Sequence, residues 1–197
     1  MGRLLLIRHA ESEGNRDQVF TATPLVPLTP RGRIQAHVAA SWMAARYSPV
    51  RVVTSPYQRA RETSSIIAEV LQLPIVVEED LHERDYGRLA GLAYTTPRPG
   101  YDRERYWTWR PEAGETLEEV LVRVGAVLDG IAVALPGKDV IVVSHGAVMM
   151  AAYRHVTGTW PPAGSVVRNA GIIVAEHCDG RWREATEIPG NEDGPIG

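Results

Sequence analysis

Arg8 and His9 directly follow the apolar run Leu4–Ile7, and Ser144, His145 and Gly146 directly follow Val140–Val143. Thr54, Ser55 and Pro56 follow Val50–Val53, with Arg59 within the next turn of chain. A neutral imidazole nitrogen is a competent nucleophile toward phosphorus. Guanidinium forks match the oxygens of a phosphoryl group and neutralise its charge as it moves. Taken singly, each histidine reads as a satisfied core residue and each arginine as half of a structural ion pair. Two of each at equivalent ends of three apolar runs point instead to one anion pocket, because ligands of open α/β sheets bind beyond the carboxyl ends of the strands.

The three runs are continuous rather than alternating, as expected of strands buried on both faces of a parallel sheet. Helical patterns follow each. Thr29 is a good N-cap with Pro30 at the first helical position, and Ile34, Val38, Ala39, Trp42 and Met43 recur on one face. A second helix fits Tyr57 to Leu71; a third begins near Glu115-Thr116, turns Leu117, Val120, Leu121, Val124 and Leu128 inward, and ends around Leu135-Pro136-Gly137; a fourth follows Gly146 through Tyr153. Gly171–Glu176 and Trp182–Glu187 read as a hairpin turning at Asp179-Gly180. The expected architecture is a three-layer α/β/α sandwich with a mostly parallel central sheet and an antiparallel edge strand.

The chain has 197 residues, which suits one domain over 1–188, with 189–197 expected as a mobile tail. Residues 93–114 carry Tyr94, Tyr101, Tyr106, Trp107 and Trp109 among Arg98, Arg103, Arg105 and Arg110. So long a connection rich in aromatics reads as a lid or pocket wall. With 44% hydrophobic and 23% charged residues and a net charge of −3, the chain is neither fibrous nor disordered. It has no basic run to grip nucleic acid or an anionic membrane, so any anion must be held locally. One cysteine, Cys178, and no Cys/His set at zinc spacing imply a reducing compartment, the cytoplasm, and no structural metal. No apolar stretch approaches a membrane span or a signal-peptide core.

The chain resembles the histidine phosphatase superfamily, also called phosphoglycerate mutase-like. Its Leu6-Ile7-Arg8-His9-Ala10-Glu11-Ser12-Glu13-Gly14-Asn15 is similar to that family's Arg-His-Gly motif with Glu-Ser and Asn after it. The resemblance continues through Phe20-Thr21, Leu28-Thr29-Pro30-Arg31-Gly32, Ser55-Pro56-Tyr57-Gln58-Arg59-Ala60 with Thr63, Leu81-His82-Glu83 with Gly87 and Gly91, Gly114-Glu115-Thr116, and Ser144-His145-Gly146. Residue by residue, it implies that His9 is a nucleophile forming a phosphohistidine. Arg8, Arg59 and His145 would hold the phosphoryl oxygens, with Asn15 and Thr21 on the same phosphate. Arg84, Tyr86 and Gly146 fall in matched segments and are carried over as further contacts to phosphate or substrate. Glu83 matches the family's proton donor. The chemistry asks for such a carboxyl independently, because an alkoxide leaves poorly at neutral pH and general acid help is worth ~10²–10⁴-fold.

Ala10 departs from the motif's glycine; a positive φ there would strain it, although alanine is the smallest replacement. His37, His82, His155 and His177 match no catalytic position and are expected to be structural or superficial. Arg61 and Ser144 are expected behind the site, and Ser12 near the phosphate. The implied activity is a metal- and cofactor-independent, histidine acid phosphatase-type phosphomonoesterase acting on small organic phosphates. The expected partner is a small-molecule phosphate ester, with no nucleic acid and no membrane; homodimerisation stays open. Two alternatives compete with it. A bisphosphoglycerate-dependent mutase is disfavoured because Tyr94 stands near the mutases' lysine and no adjacent Arg-Arg pair follows. A non-catalytic phosphate- or phosphopeptide-binding module would need neither His9 nor Glu83.

Overall fold

The three apolar runs become neighbouring parallel strands at the centre of a sheet. The computed structural model describes the backbone of residues 2–188, 190–191 and 194–195. In chain order the elements are β1 (Gly2–Arg8), α1 (Glu13–Arg16), α2 (Pro30–Ala44), β2 (Pro49–Thr54), α3 (Gln58–Leu71), β3 (Ile75–Val77), α4 (Leu117–Ala134), β4 (Asp139–Ser144), α5 (Gly146–Thr157), β5 (Ile172–Cys178) and β6 (Arg181–Ile188). The sheet order is β3-β2-β4-β1-β5-β6. The first four strands are parallel, and β5 and β6 run antiparallel to their neighbours. Gly190–Asn191 pairs antiparallel with Gly194–Pro195. The expectation of a mobile tail from 189 falls in part on residues outside those described.

Side chains alternate across β1 and so define two cores. Leu5 and Ile7 pack with Ala36, Ala39 and Met43 of α2 and Ile67 of α3. Leu4 and Leu6 pack with Val120, Val124 and Leu128 of α4 and Met149 and Ala152 of α5. Each Leu, Ile, Val or Met side chain among them contributes about 1.5–3 kcal/mol when fully buried, which explains why β1 and β4 are apolar along their centres. No helix among the described residues is long and apolar enough to cross a membrane.

The structure amends the sequence reading of α2. Ile34 is 58% exposed, while Gln35 is buried. The helix is rotated because its first turn sits against the chain leaving β1. Thr29 caps it by accepting from Gly32 N–H at 3.0 Å and donates to Glu11 Oε1 at 2.6 Å, and Gln35 Oε1 accepts from Glu11 N–H at 2.9 Å. A Cβ on Gly32 would lie 2.0 Å from the Glu11 carbonyl oxygen, so only glycine permits this approach. Glu11 is thus clamped two residues after His9.

β3 is an addition at the sheet edge; three exposed residues give too short a signal to be recognised as a strand. The hairpin turns where expected, with Asp179 at φ 52° and Gly180 at φ 73°, as a two-residue type I′ turn requires. Residues 93–114 form turns rather than regular elements, yet they are anchored. Tyr94 N–H donates to Gln18 O at 2.8 Å, and Trp107 O accepts from Leu117 N–H at 3.0 Å. Tyr106 is buried and donates to Pro161 O at 2.6 Å.

Candidate active site

His9 follows β1, and its backbone N–H donates to Ser144 O of β4 at 2.8 Å. Its side chain is 2% exposed. Nδ1 lies 2.7 Å from the Ala10 carbonyl oxygen, which can only accept, so Nδ1 carries the proton and Nε2 the lone pair. Arg59 Nε–H donates to that lone pair at 3.2 Å. Burial first, then the charges of Arg59 and Arg8, hold the imidazole pKa well below its ordinary value. The nitrogen that meets the Arg59 guanidinium is therefore neutral and nucleophilic.

Arg59, in the first turn of α3, is fully buried. Among the described residues its partners are the Thr21 and Thr23 carbonyls at 2.9 and 3.1 Å, His9, and the Tyr57 ring at 5.0 Å, with no carboxylate. Burial lowers its pKa, but from so high a value that it stays charged. Arg8 donates through Nη1 to Val167 O at 2.8 Å, while its buried Nε has no partner. His145, at the N-cap of α5, is fully buried, with its ring centroid 5.1 Å from that of His9. Its Nε2 lies 2.7 Å from Ser55 Oγ, and its Nδ1 is buried and unpartnered. Burial, followed by Arg59, His9 and Arg8, pushes its pKa well down. Guanidinium groups not bonded to any carboxylate among the described residues, two buried unmatched nitrogens and a nucleophilic lone pair suit a tetrahedral oxyanion.

Glu83 stands on the other side of Arg8. Its Oε1 accepts from the backbone N–H of Arg84 at 2.9 Å and of Ala147 at 3.3 Å. A Cβ placed on Gly146 would be 3.7 Å from the Arg8 guanidinium carbon and 4.0 Å from Glu83 Oε2. Gly146 therefore leaves open the gap between cation and carboxylate, where a leaving oxygen could meet both.

Arg8, His9, Glu83 and Gly146 form the floor of a pocket of about 660 Å³, whose wall includes Phe20, Tyr86, Tyr94, Arg98, Tyr101 and Trp109, and Arg59 and His145 adjoin it through His9. Phe20 contacts Tyr86 and Tyr94 at ring distances of 4.9 and 5.0 Å. Arg98 lies 4.1 Å over Tyr101. Burial, reinforced by Glu83, raises the Tyr86 pKa, so its hydroxyl stays protonated. No group of three or more His, Cys, Asp or Glu side chains among the described residues could hold a metal ion.

A sequence model described as histidine phosphatase superfamily (branch 1) matches residues 4–186. The chain belongs to that superfamily. It is 34% identical over 184 residues to the uncharacterised phosphatase PhoE of Bacillus subtilis (strain 168), covering 93% of this chain and 92% of that one. A 2,3-bisphosphoglycerate-dependent phosphoglycerate mutase of Beijerinckia indica is 32% identical over 177 residues, 82% of this chain and 84% of its own. Among solved structures, mycobacterial glucosyl-3-phosphoglycerate phosphatase Rv2419c superposes with a TM-score of 0.84 at 24% identity, covering 94% of this chain and 97% of that one. That likeness speaks to the fold alone, a phosphoglycerate mutase-like sandwich.

All ten residues singled out from the superfamily motifs reach this pocket or its immediate support, with differences in how they do so. Asn15 Oδ1 accepts from Ser12 Oγ and N–H and from Asn169 Nδ2, leaving its amide nitrogen as the end able to donate outward. Thr21 lines the pocket, and its carbonyl also holds Arg59. Arg84 is committed mostly to protein: Nε donates to Glu115 O at 2.7 Å and Nη2 to Trp109 O at 2.6 Å, pinning the lid. Four lid aromatics line the pocket, Tyr94, Tyr101, Tyr106 and Trp109, whereas Trp107 stacks on Trp160 at 6.0 Å. Ala10 has no positive φ. Its N–H donates to Thr63 Oγ1 at 3.2 Å, so the alanine is accommodated without backbone strain. Arg61 is not behind the site; it is exposed beside a separate groove with Pro24 and Leu25.

Asn169 and Tyr57 carry support that had no signal of their own, while Ser55, on His145, and Thr63, on Ala10, stood in a matched segment without an assigned role. Asn169 Nδ2 donates to His9 O at 3.0 Å. It arrives there because β5 runs antiparallel to β1, pairing Ile172 with Ile7, so the chain before β5 lies beside the end of β1.

The two depressed histidines make stability pH-dependent in acid. In the unfolded chain each takes up a proton near pH 6.5, about the ordinary imidazole value, whereas in the fold each stays neutral to well below that. Between those limits the unfolded state binds more protons, so stability falls as pH drops, by up to about 1.4 kcal/mol per pH unit for each group. Urea unfolding midpoints between pH 7.5 and 5 should therefore decline more steeply for wild type than for His145→Gln, by roughly one proton's slope. Identical slopes would contradict the buried neutral state of His145.

Proposed function

We propose that this protein is a metal-independent phosphomonoesterase that hydrolyses small organic phosphates through a phosphohistidine. His9 Nε2 attacks phosphorus while Arg8 and Arg59 neutralise the equatorial oxygens and the neutral His145 offers them its unpartnered Nδ1 as a hydrogen-bond donor. The P–O bond to the leaving group breaks as the Glu83 carboxyl gives its proton to the departing oxygen, releasing an alcohol. Water then attacks the phosphohistidine, Glu83 takes its proton, and the P–N bond breaks to free phosphate. The observation that carries this reading is the fixed tautomer of His9, whose lone pair points at Arg59 while Nδ1–H is held by Ala10 O.

The aromatic wall favours an organic leaving group over a compact triose acid, because apolar lining rewards apolar surface. The mutase reading draws support from the Beijerinckia indica relative, but Tyr94 contributes a ring and a hydroxyl to the pocket rather than the positive charge that retaining an acidic product would call for. Phosphate release from a panel of esters, in chelator and with or without 2,3-bisphosphoglycerate, tests both readings. Hydrolysis without primer should exceed interconversion of 3- and 2-phosphoglycerate. Efficient primer-dependent interconversion with little net phosphate would establish the mutase instead.

A further inference from the structure

The segment leading to Glu83 is gripped from behind by side chains that do not line the pocket. Three consecutive carbonyls ahead of Glu83 each accept from a side chain. Arg123 Nη1 of α4 donates to Asp80 O at 2.5 Å and to His82 O at 2.9 Å. Ser144 Oγ of β4 donates to the intervening Leu81 O at 2.8 Å. On the far side of Glu83, the Asp85 N–H donates to Glu115 Oε2 at 2.9 Å. The two grips are one unit, because Arg123 Nε and Nη2 form a fork on Glu115 Oε1 and Oε2 at 3.2 and 3.1 Å. The side chains of Arg123 and Glu115 are 12% and 23% exposed, so the pair is shielded enough to be more than a surface ion pair.

A carboxyl that must protonate an oxygen in flight has to be placed to within a fraction of an ångström. Glu83 lies in irregular chain between a 3₁₀ turn at Glu79–Leu81 and another at Gly87–Leu89. No strand or helix of its own supplies that precision. We propose that Arg123 and Glu115 are positioning residues that bracket Glu83 and set its carboxyl for proton transfer, an inference that rests on Glu83 being the acid of the proposed hydrolysis. Burial pushes the Glu115 carboxyl up, and the Arg123 fork and the Asp85 N–H outweigh it, so Glu115 is ionised and the fork stays charged at neutral pH.

A purely structural pair would, on removal, affect all substrates alike. A positioning pair affects only those that need the proton. The comparison uses kcat/KM for a simple alkyl phosphate and for 4-nitrophenyl phosphate, with wild type, Arg123→Gln, Glu83→Gln and the double variant. Arg123→Gln should lose roughly ten- to a hundredfold on the alkyl ester. It should lose less than about threefold on the aryl ester, whose leaving group departs without help. In the Glu83→Gln background, Arg123→Gln should have no further effect. Equal losses on both esters, no loss on either, or an undiminished alkyl loss in the Glu83→Gln background would overturn the proposal. Absence of discrimination in Glu83→Gln alone would remove the acid itself, and the positioning role with it. Glu115→Gln weakens the same fork with the guanidinium in place and should show the selective loss at smaller amplitude. It decides the matter should Arg123→Gln not fold, and an unselective loss there would likewise overturn the proposal.

Discussion

His9→Ala should lower hydrolysis of every substrate by about 10⁴-fold or more, good leaving groups included, because the first bond to phosphorus is then lost. The size of the effect follows from how completely the residue is committed. Its backbone is tied to Ser144 O and Asn169 Nδ2, its Nδ1 to Ala10 O, and its Nε2 to Arg59, so no neighbouring imidazole can take its place. His145 is the nearest other imidazole, but its ring centroid lies 5.1 Å from that of His9 and its Nε2 is held by Ser55 Oγ, so it does not occupy the nucleophile's position. The variant should still bind inorganic phosphate, since Arg8 and Arg59 do not depend on the imidazole for their charge. Steady-state rates together with phosphate binding by calorimetry separate the two losses; a variant retaining more than about a hundredth of wild-type activity would remove His9 from the nucleophile's role.

Glu83→Gln should produce the second-largest change, one that depends on substrate. Gln keeps the shape of the side chain and can still accept at Oε1 from the N–H groups of Arg84 and Ala147, but it has no proton of suitable acidity to give. Alkyl esters should slow by ~10²–10⁴-fold in kcat/KM, and 4-nitrophenyl phosphate far less, because nitrophenolate scarcely needs the proton. Equal slowing of both would assign the acid to another group.

The strands that carry the site were legible because burial on both faces forces an unbroken apolar run, as at Leu4–Ile7 and Val140–Val143, and because the chemistry sits immediately after them. Arg8, His9, Arg59 and His145 were therefore found by position as much as by type. Glu83 had no such mark; it stands in an acidic stretch with Glu78, Glu79 and Asp80, and only the family motif singled it out. Ile34 misled because the rotation of α2 is set by Gly32 against Glu11, a backbone approach that hydrophobic spacing does not encode. Asn169 was invisible for a related reason: its place beside His9 depends on β5 pairing antiparallel with β1. The lid aromatics were recognised as a group, but which of them turn inward is decided by anchors such as the Tyr106 hydroxyl on Pro161 O and the stacking of Trp107 on Trp160.

The central claim is that His9 carries the phosphoryl group covalently during turnover. Rapid quench of enzyme mixed with a ³²P-labelled ester, followed by proteolysis and mapping, addresses it directly. The account predicts label on the peptide containing His9, stable in base and lost in acid, and absent from His9→Ala. Label that is absent throughout turnover under conditions where its breakdown is rate-limiting, or that appears equally in His9→Ala, would contradict it.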